Sequence, residues 1–253
     1  MSACIVPDWA GLPPSVGALS STRRGGVSAA PYDDGAGGGG LNLGLHVGDD
    51  AAAVGQNRVR LQALLPAAPV WLNQVHGANV VDAATVVGVP DADASIASKP
   101  GVVCAIMTAD CLPVLFADSA GAVVGAAHAG WRGLAQGVLQ NTVARMREAG
   151  AGDITAWLGP AIGPQAFEVG PEVRAAFADV NPAAAAAFAG QPGGKYLADI
   201  YLLARLALGA CGVRQVCGGG FCTVGDAARF YSYRRDRVTG RMASLVWIRP
   251  PDA

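Results

Sequence analysis

Two histidines and one cysteine are of types that could hold a metal ion. His76 lies in NQVHGANVV, Cys111 in TADCLPVLFAD and His128 in AAHAGWRG, each at a predicted strand end or turn. Imidazole nitrogen and thiolate sulfur are ligands that suit Zn²⁺ and copper. Three protein ligands leave a fourth position for water or substrate, as in catalytic zinc sites. A catalytic metal site is therefore predicted if the fold brings these three positions together.

The same residues also fit covalent catalysis. Cys111 could act as a nucleophile with His128 as its base, and Asp110 or another group could orient the imidazole. That arrangement would indicate a cysteine hydrolase or an acyl transferase. The three could also be ordinary buried polar residues at turns, and their spacing alone does not decide among these interpretations.

The elements that must position these residues form a mixed-sheet α/β pattern. Segment 101–118 predicts two strands broken at a polar corner, 112–128 predicts a hairpin, and 69–87 predicts two strands around a turn at His76–Gly77. Strands and helices alternate loosely, which favours a mixed sheet over a purely parallel one. Helices are predicted within 49–65, 131–150, 170–180 and 197–212, and further strands within 154–159, 214–223 and 242–250.

Two local features complete this pattern. The glycine-rich segment 21–50 predicts a surface insertion in which glycines 37–40 are mobile. The helix that follows is predicted to present an apolar face composed of Val54, Val59, Leu61 and Leu64.

Composition excludes several classes of protein. The chain has 253 residues and a net charge of -1, from 18 basic and 19 acidic residues, which argues against a nucleic-acid partner. No apolar run is long enough to span a bilayer, and no secretory signal is evident, so we predict a cytoplasmic protein without a membrane partner. The six cysteines include no CxxC pair, which disfavours a structural zinc site.

Five motifs in order, NQVHG, TADCLPVLFAD, AAHAGWRGL, LGPAIGPQAFEVG and FYSYRRD, resemble those of the laccase-domain family. That family has also been called multicopper polyphenol oxidase, peptidoglycan editing factor and purine nucleoside phosphorylase. The resemblance implies a single layered α/β domain over residues 1–253, with mixed sheet, hairpins and flanking helices. It also implies that His76, Cys111 and His128 are metal ligands, usually for zinc.

The activities that the resemblance implies act on purine nucleosides. They are phosphorolysis of adenosine, inosine, guanosine and methylthioadenosine to the base and ribose 1-phosphate, and hydrolytic deamination of adenosine. The partners expected are thus a nucleoside and phosphate. The chain departs from the family where Gln165 and Ala166 replace frequent cysteines, where Ala204 replaces an asparagine, and in a longer glycine insertion.

Deamination needs a carboxylate that moves a proton, and Asp110 and Glu168 are the candidates. The H-x-E and P-C-x-x-C signatures of well-known nucleobase deaminases do not occur in this sequence. Asp93, in DADAS, could orient a ligating imidazole from the second coordination shell.

Substrate contacts are predicted at two further positions. Arg132 opens a predicted helix, where backbone N–H groups also favour anions, so it is a candidate for binding phosphate. Asn42, in LNLGLH, is a candidate for binding substrate. Arg234 and Arg235 are weaker phosphate candidates, and His46 is expected to pack in its loop rather than bind metal.

Three other functions compete with the nucleoside enzyme. A peptidoglycan-precursor editing hydrolase would use Cys111 and His128. A copper polyphenol oxidase fits the ligand types, since the Irving–Williams order favours Cu²⁺, but three histidines are too few for a multicopper centre. A binding module would sense nucleosides without turnover. The sequence predicts no particular oligomeric state.

Overall fold

Most strands lie in two sheets that pack face to face in the computed structural model, which describes residues 3–251. The strands are β1 (Cys4–Ile5), β2 (Val16–Ser21), β3 (Arg24–Ser28), β4 (Pro69–Val70), β5 (Val80–Asp82), β6 (Ala94–Ala97), β7 (Val103–Thr108), β8 (Leu112–Asp118), β9 (Val124–Ala129), β10 (Ile154–Leu158), β11 (Glu168–Val169), β12 (Phe188–Gln191), β13 (Lys195–Ala198), β14 (Gln215–Gly218) and β15 (Met242–Ile248). The α-helices are α1 (Ala51–Gln62), α2 (Trp131–Ala135), α3 (Val138–Glu148), α4 (Pro171–Ala178), α5 (Ile200–Ala210) and α6 (Tyr233–Asp236), and Pro182–Ala187 and Pro192–Gly194 form 3₁₀ helices.

Both large sheets are mixed, as predicted. The five-stranded sheet has the order β1-β2-β15-β7-β4, and only its β4–β7 pair is parallel. The six-stranded sheet has the order β14-β10-β8-β9-β6-β5, with parallel pairs at both edges. A small antiparallel sheet, β11-β13-β12, lies apart from them.

Alternating side chains divide the core into layers. Leu115 and Val124 of the six-stranded sheet pack against Ile106 and Val246 of the five-stranded sheet. The opposite face of the six-stranded sheet packs on α3 and α5, and the opposite face of the five-stranded sheet packs on α1 and segment 41–43. Because side chains alternate along a strand, the central strands β7, β8, β9, β10 and β15 serve two apolar layers and are buried on both faces. The predicted layered α/β fold with flanking helices is confirmed.

Strand pairing is only partly as predicted. The hairpin is confirmed as the β8–β9 pair. The two strands expected around His76–Gly77 exist as β4 and β5, but they lie in different sheets. The polar corner at 109–111 likewise carries the chain from the five-stranded sheet to the six-stranded one.

Three local expectations were wrong. The helix predicted over 131–150 is divided into α2 and α3 by Gly137, whose φ of 89° lies in the left-handed region. The segment 21–50 is not a surface insertion, because it contains β3 and buries the side chains of Leu41 and Leu43. Val59 and Leu64 are exposed rather than on the buried face of the helix region, where Val54 and Leu61 are buried together with Asn57.

Candidate metal centre

His76, Cys111 and His128, called here the His–Cys–His trio, come together in the fold. Their candidate ligand atoms all lie within 4.8 Å of one another. The Cys111 Sγ is 3.9 Å from the His76 Nε2, and the two imidazole rings meet edge to face with centroids 4.8 Å apart. His128 is buried, Cys111 is half-buried and His76 is exposed. The group could therefore hold a metal ion that is reachable from solvent on the His76 side.

Strand register explains why residues so far apart in sequence meet. Leu112 pairs with Ala129, so Cys111, one residue before β8, lies beside the end of β9 that carries His128. In the neighbouring β6–β9 pair, Ala94 pairs with Ala127, and the His128 N–H donates to the Asp93 carbonyl oxygen at 2.7 Å. The ends of three adjacent strands thus converge at one edge of the six-stranded sheet.

Asp93 holds two members of the trio in place. Its buried carboxylate accepts from the His128 Nδ1 at 2.7 Å and from the His76 backbone N–H at 2.9 Å. It also accepts from the backbone N–H groups of Gly77 at 2.7 Å and Val75 at 3.2 Å. Burial alone would raise the pKa of Asp93, but the hydrogen bonds from His128 and the backbone lower it. With Nδ1 engaged, the Nε2 of His128 is left to act as a ligand, so the geometry suits the prediction that Asp93 orients a ligating imidazole.

The space around the trio also suits a bound ion. A Cβ atom added at Gly130 would lie 3.0 Å from the Cys111 Sγ and 3.1 Å from the His76 Cδ2. A side chain at this position would crowd the donor atoms, so glycine keeps the space beside them clear. The donor set of two imidazoles and one thiol, with an orienting carboxylate behind one imidazole, fits Zn²⁺ or copper.

Charge within the trio favours the thiolate form of Cys111. Burial raises the pKa of the Cys111 thiol, but the imidazoles of His128 and His76 outweigh burial and lower it to about 6. Burial lowers the pKa of His128, while the Cys111 thiolate and Asp93 raise it to about 9. By contrast, burial raises the pKa of the core residue Cys104 to about 12. Only a thiolate binds metal or attacks as a nucleophile, so Cys111 is chemically set apart from Cys104.

Two cavities meet at the trio, and both are lined by His76, Cys111 and Tyr233. The first, called here the polar cavity, has a volume of 430 Å³ and includes His46, Asn73, Thr108 and Arg241 in its wall. The second, called the arginine cavity, has a volume of 310 Å³ and includes Trp131, Arg132, Phe167, Arg234 and Arg237. The trio therefore lies where two chambers of different chemistry join.

Backbone strain is concentrated at the arginine cavity. Among residues 3–251, the non-glycine residues with positive φ are His76 at 60°, Asp110 at 93° and Arg237 at 62°. All three line the arginine cavity. Such conformations cost on the order of 1–3 kcal/mol each and tend to cluster at functional sites. The strain therefore marks this cavity independently of its side-chain chemistry.

The two carboxylates predicted to move protons occupy different environments. Asp110 lines the arginine cavity, and its oxygens accept from the Thr223 hydroxyl and the Arg234 backbone N–H, both at 2.6 Å. Glu168 is exposed in β11 and lines neither cavity, although its backbone carbonyl accepts from the Arg234 Nη1 at 3.0 Å. The structure thus brings Asp110, but not the Glu168 side chain, to the site.

Asn42 has a structural position. It is fully buried and lines neither cavity. Its Oδ1 accepts from the backbone N–H groups of Gly44 at 3.0 Å and Arg241 at 2.8 Å, and its Nδ2 donates to Asp49 at 2.9 Å. The geometry therefore opposes direct contact between Asn42 and substrate, and it connects Asn42 to the polar cavity only through Arg241.

The other polar candidates divide between the site and the scaffold. Arg132 lines the arginine cavity and lies over the Trp131 ring, 4.6 Å from its centroid. Arg235 is paired with Asp236 and lines neither cavity. His46 is outside the trio, as expected, but it is exposed at the polar cavity rather than packed in its loop.

Sequence reasoning missed Arg237 and Arg241 as cavity residues. Both belong to the basic stretch RFYSYRRDRVTGR, from which only Arg234 and Arg235 were predicted as phosphate candidates. The interleaved aromatic residues were the available signal, since Tyr233 from the same stretch lines both cavities.

We expect Asp93→Asn to weaken metal binding about 10- to 100-fold, since such orienting carboxylates typically contribute that much. The amide has one acceptor oxygen in place of a carboxylate that accepts from His128, His76, Gly77 and Val75. Competition with a chelator measures the affinity. Asp91→Asn is the matched control, because the Asp91 carboxylate accepts from Asn73 rather than from the trio. Equal affinities in the two variants would contradict the role assigned to Asp93.

The family described as multi-copper polyphenol oxidoreductase laccase matches residues 17–249 of the chain. The chain belongs to this laccase-domain family. Its laccase-domain relatives include purine nucleoside phosphorylase PA4543 of Pseudomonas aeruginosa, 55% identical over 249 residues, or 98% of this chain and 99% of that protein. Purine nucleoside phosphorylase YfiH of Escherichia coli strain K12 is 55% identical over 254 residues, or 98% of this chain and 100% of that protein.

A solved laccase-domain structure shares the fold throughout. The crystal structure of Neisseria meningitidis protein NMB0706 superposes with a TM-score of 0.90 at 51% identity, covering 98% of this chain and 100% of the other. The resemblance drawn from the five motifs is thereby confirmed at the level of family and fold.

Two further observations bear on the alternatives. Within residues 3–251, the trio is the one group of three or more histidine, cysteine or acidic side chains arranged to hold a metal. No helix in that range is both long enough and apolar enough to cross a membrane.

Proposed function

We propose that this protein is a zinc-dependent purine nucleoside phosphorylase that also deaminates adenosine. Its substrates would be adenosine, inosine, guanosine and methylthioadenosine, each cleaved with phosphate to the base and ribose 1-phosphate. The observation that carries the proposal is the position of the trio, at the junction of two cavities large enough for small-molecule substrates. Relatives that are 55% identical and named purine nucleoside phosphorylases support it.

The trio would hold the metal, and Asp93 would keep His128 in the ligating orientation. A bound Zn²⁺ supplies a Lewis acid and lowers the pKa of coordinated water. Tyr233, which lines both cavities, offers an aromatic face to the purine. Trp131 and Phe167 add apolar surface to the wall of the arginine cavity.

Asp110 is our choice for proton transfer in deamination. It lines the same cavity as the trio residues, whereas Glu168 does not. The hydrogen bonds from Thr223 and the Arg234 backbone orient the carboxylate beside Cys111 in the chain. In the net reaction, water replaces the amino group at C6 of adenosine, and inosine and ammonia are released.

Product analysis tests the proposal directly. Metal-loaded protein is incubated with each nucleoside, with and without phosphate, and bases and nucleosides are separated by liquid chromatography. We expect adenine, hypoxanthine or guanine only when phosphate is present, and inosine from adenosine in either case. Treatment with a chelator should abolish both activities, and added zinc should restore them. Absence of free base from all four nucleosides would overturn the phosphorylase proposal.

A second candidate is favoured by one specific arrangement. Asp93 is hydrogen-bonded to His128, and a ring nitrogen of His128 lies within 4.8 Å of the Cys111 Sγ. Carboxylate, imidazole and thiol thus follow one another in the order found in cysteine hydrolases, with Asp93 in the orienting position considered for Asp110. The candidate is a hydrolase that edits peptidoglycan precursors. Metal removal should increase hydrolysis if Cys111 is the nucleophile, since a metal-bound thiolate cannot attack. A deletion strain should then show altered cell-wall peptides that only a copy with Cys111 corrects.

The remaining alternatives have simple signatures. A polyphenol oxidase would consume oxygen with a phenol after loading with copper, and we expect no such uptake. A nucleoside sensor would bind its ligand saturably and form no product.

A further inference from the structure

Three guanidinium groups of the arginine cavity have no acidic partner. Among residues 3–251, none of Arg132, Arg234 and Arg237 forms an ion pair with a carboxylate. Arg235, their neighbour in sequence, is instead paired with Asp236 at 2.7 Å. Unpaired arginines that converge on one cavity leave a net positive charge there, which favours an anionic ligand.

The contacts of these arginines fix their planes and leave donors free. Arg132 lies over Trp131, and the Arg237 guanidinium lies 5.7 Å from the centre of the Tyr233 ring. Arg234 donates through Nη1 to the carbonyl oxygens of Ala166 and Glu168. Its Nε and Nη2 donate to no other group within residues 3–251. Ring contacts restrict Arg132 and Arg237, and hydrogen bonds through Nη1 restrict Arg234. All three guanidinium groups keep N–H donors that could bind an anion.

Arg237 is held in its position at a cost in backbone strain. Its φ of 62° and ψ of -63° form a tight three-residue turn, closed by a 2.7 Å hydrogen bond from the Val238 N–H to the Asp236 carbonyl. This γ-turn is rare and strained for a residue with a side chain. Arg237 is exposed, so its side chain gives no packing reason for the conformation.

We propose that during phosphorolysis the arginine cavity binds inorganic phosphate through Arg132, Arg234 and Arg237, and the polar cavity receives the nucleoside. Deamination uses no phosphate, so the arginine cavity and Asp110 then stay open to adenosine. The assignment rests on the proposed phosphorylase function. The polar cavity has a larger volume, 430 Å³ against 310 Å³, and a single arginine, Arg241, whose Nη1 already donates to two backbone carbonyls. Asp110 also lines the arginine cavity, but both of its oxygens accept hydrogen bonds from protein groups.

The polar cavity and the arginine cavity meet at residues that line both of them. A nucleoside in the first and a phosphate in the second would therefore lie next to each other. A phosphate oxygen forms a bond to C1′ of the ribose as the C1′–N9 bond breaks. The electron pair of that bond stays on the purine, which takes a proton from solvent. Attack from the side opposite the departing base places phosphate and purine on opposite sides of the ribose, an arrangement that two adjoining cavities allow. His76, Cys111 and Tyr233 line both cavities.

Variants Arg132→Gln, Arg234→Gln and Arg237→Gln test the assignment. We expect each to raise the KM for phosphate about tenfold or more, with the KM for inosine changed less than about twofold, since charge-assisted hydrogen bonds are lost on one substrate only. Lysine at position 132 should restore part of the loss. Arg214→Gln is the control, because Arg214 is exposed and lines neither cavity. Equal phosphate KM values in wild type and all three variants would overturn the site.

Equilibrium dialysis of radiolabelled inorganic phosphate against metal-loaded protein, without nucleoside, gives a readout independent of turnover. We expect one phosphate per wild-type chain and weaker binding in the three variants. If one phosphate binds per wild-type chain and the variants bind it more weakly, but no nucleoside is cleaved, the phosphate site is supported and the phosphorylase function is contradicted. If 5′-AMP binds while inorganic phosphate does not, the site belongs to a nucleotide phosphoryl group and this proposal is wrong.

Discussion

Protein purified without added metal should carry about one zinc ion per chain, and His76→Ala should carry almost none. His76 contributes one of three donors that lie within 4.8 Å of one another, and two remaining donors do not hold Zn²⁺ tightly. His76 is exposed, so its removal should not disturb the core. We expect kcat/KM for inosine to fall by about a thousandfold or more, since the loss of metal removes several kcal/mol of transition-state stabilisation. Elemental analysis and nucleoside cleavage are the two measurements.

His46→Ala is the matched control for this experiment. His46 is also exposed and also lines the polar cavity, but it lies outside the trio. It should therefore retain its zinc whatever happens to turnover. Wild-type protein that contains no metal and cleaves no nucleoside would show that the trio has another role, and the hydrolase based on Cys111 and His128 would then be the better explanation. If elemental analysis finds copper in place of zinc, the trio would still be the metal site, and only the identity of the metal would change.

The proximity of His76, Cys111 and His128 was predictable because histidine and cysteine are scarce in this chain and all three residues lie at similar positions in the sequence pattern. Of three histidines in the chain, two lie at positions where an apolar run meets a turn, and Cys111 lies at another such corner. The hairpin 112–128 could be foreseen from its turn, and its register then places Cys111 beside His128. Rare side chains at strand ends are informative because strand ends gather at the edge of a sheet.

The orienting carboxylate was harder to choose, because it depends on contacts between strands distant in sequence. Asp110 is adjacent to Cys111 in the chain, yet Asp93 is the residue bonded to His128. That contact follows from the pairing of β6 with β9, which no local pattern reveals. Arg237 and Arg241 were not predicted as cavity residues for the same reason. Segment 233–241 comes close to the trio only through tertiary packing.

Strained backbone and arginines without acidic partners occur together in the arginine cavity. The folded structure around this cavity must therefore stabilise the conformation that the site needs. A strained residue persists only where the surrounding structure holds it. The Asp93 carboxylate accepts a hydrogen bond from the His76 backbone N–H, and the Asp110 carboxylate accepts one from the Thr223 hydroxyl. The Asp236 carbonyl oxygen accepts the hydrogen bond that closes the turn at Arg237. The contacts at His76 and Asp110 join distant parts of the chain, so the site should form only when the six-stranded sheet and segment 223–238 are folded.

Gly40→Ala should lower the free energy of unfolding by at least about 3 kcal/mol, as a large overpacking defect. A Cβ atom there would overlap the Tyr32 carbonyl oxygen and the Tyr231 hydroxyl, and these are buried groups joined to each other by a hydrogen bond. Gly37→Ala, in the same glycine run, meets no atom within 4 Å and should cost only about 1–2 kcal/mol for its positive φ. Urea denaturation measures both. Equal losses in the two variants would mean that glycines 37–40 act alike as a mobile run. A much larger loss of stability at Gly40 would show that the segment is packed. That packing supports Asn42, whose Oδ1 accepts a hydrogen bond from the backbone N–H of Arg241 at the polar cavity.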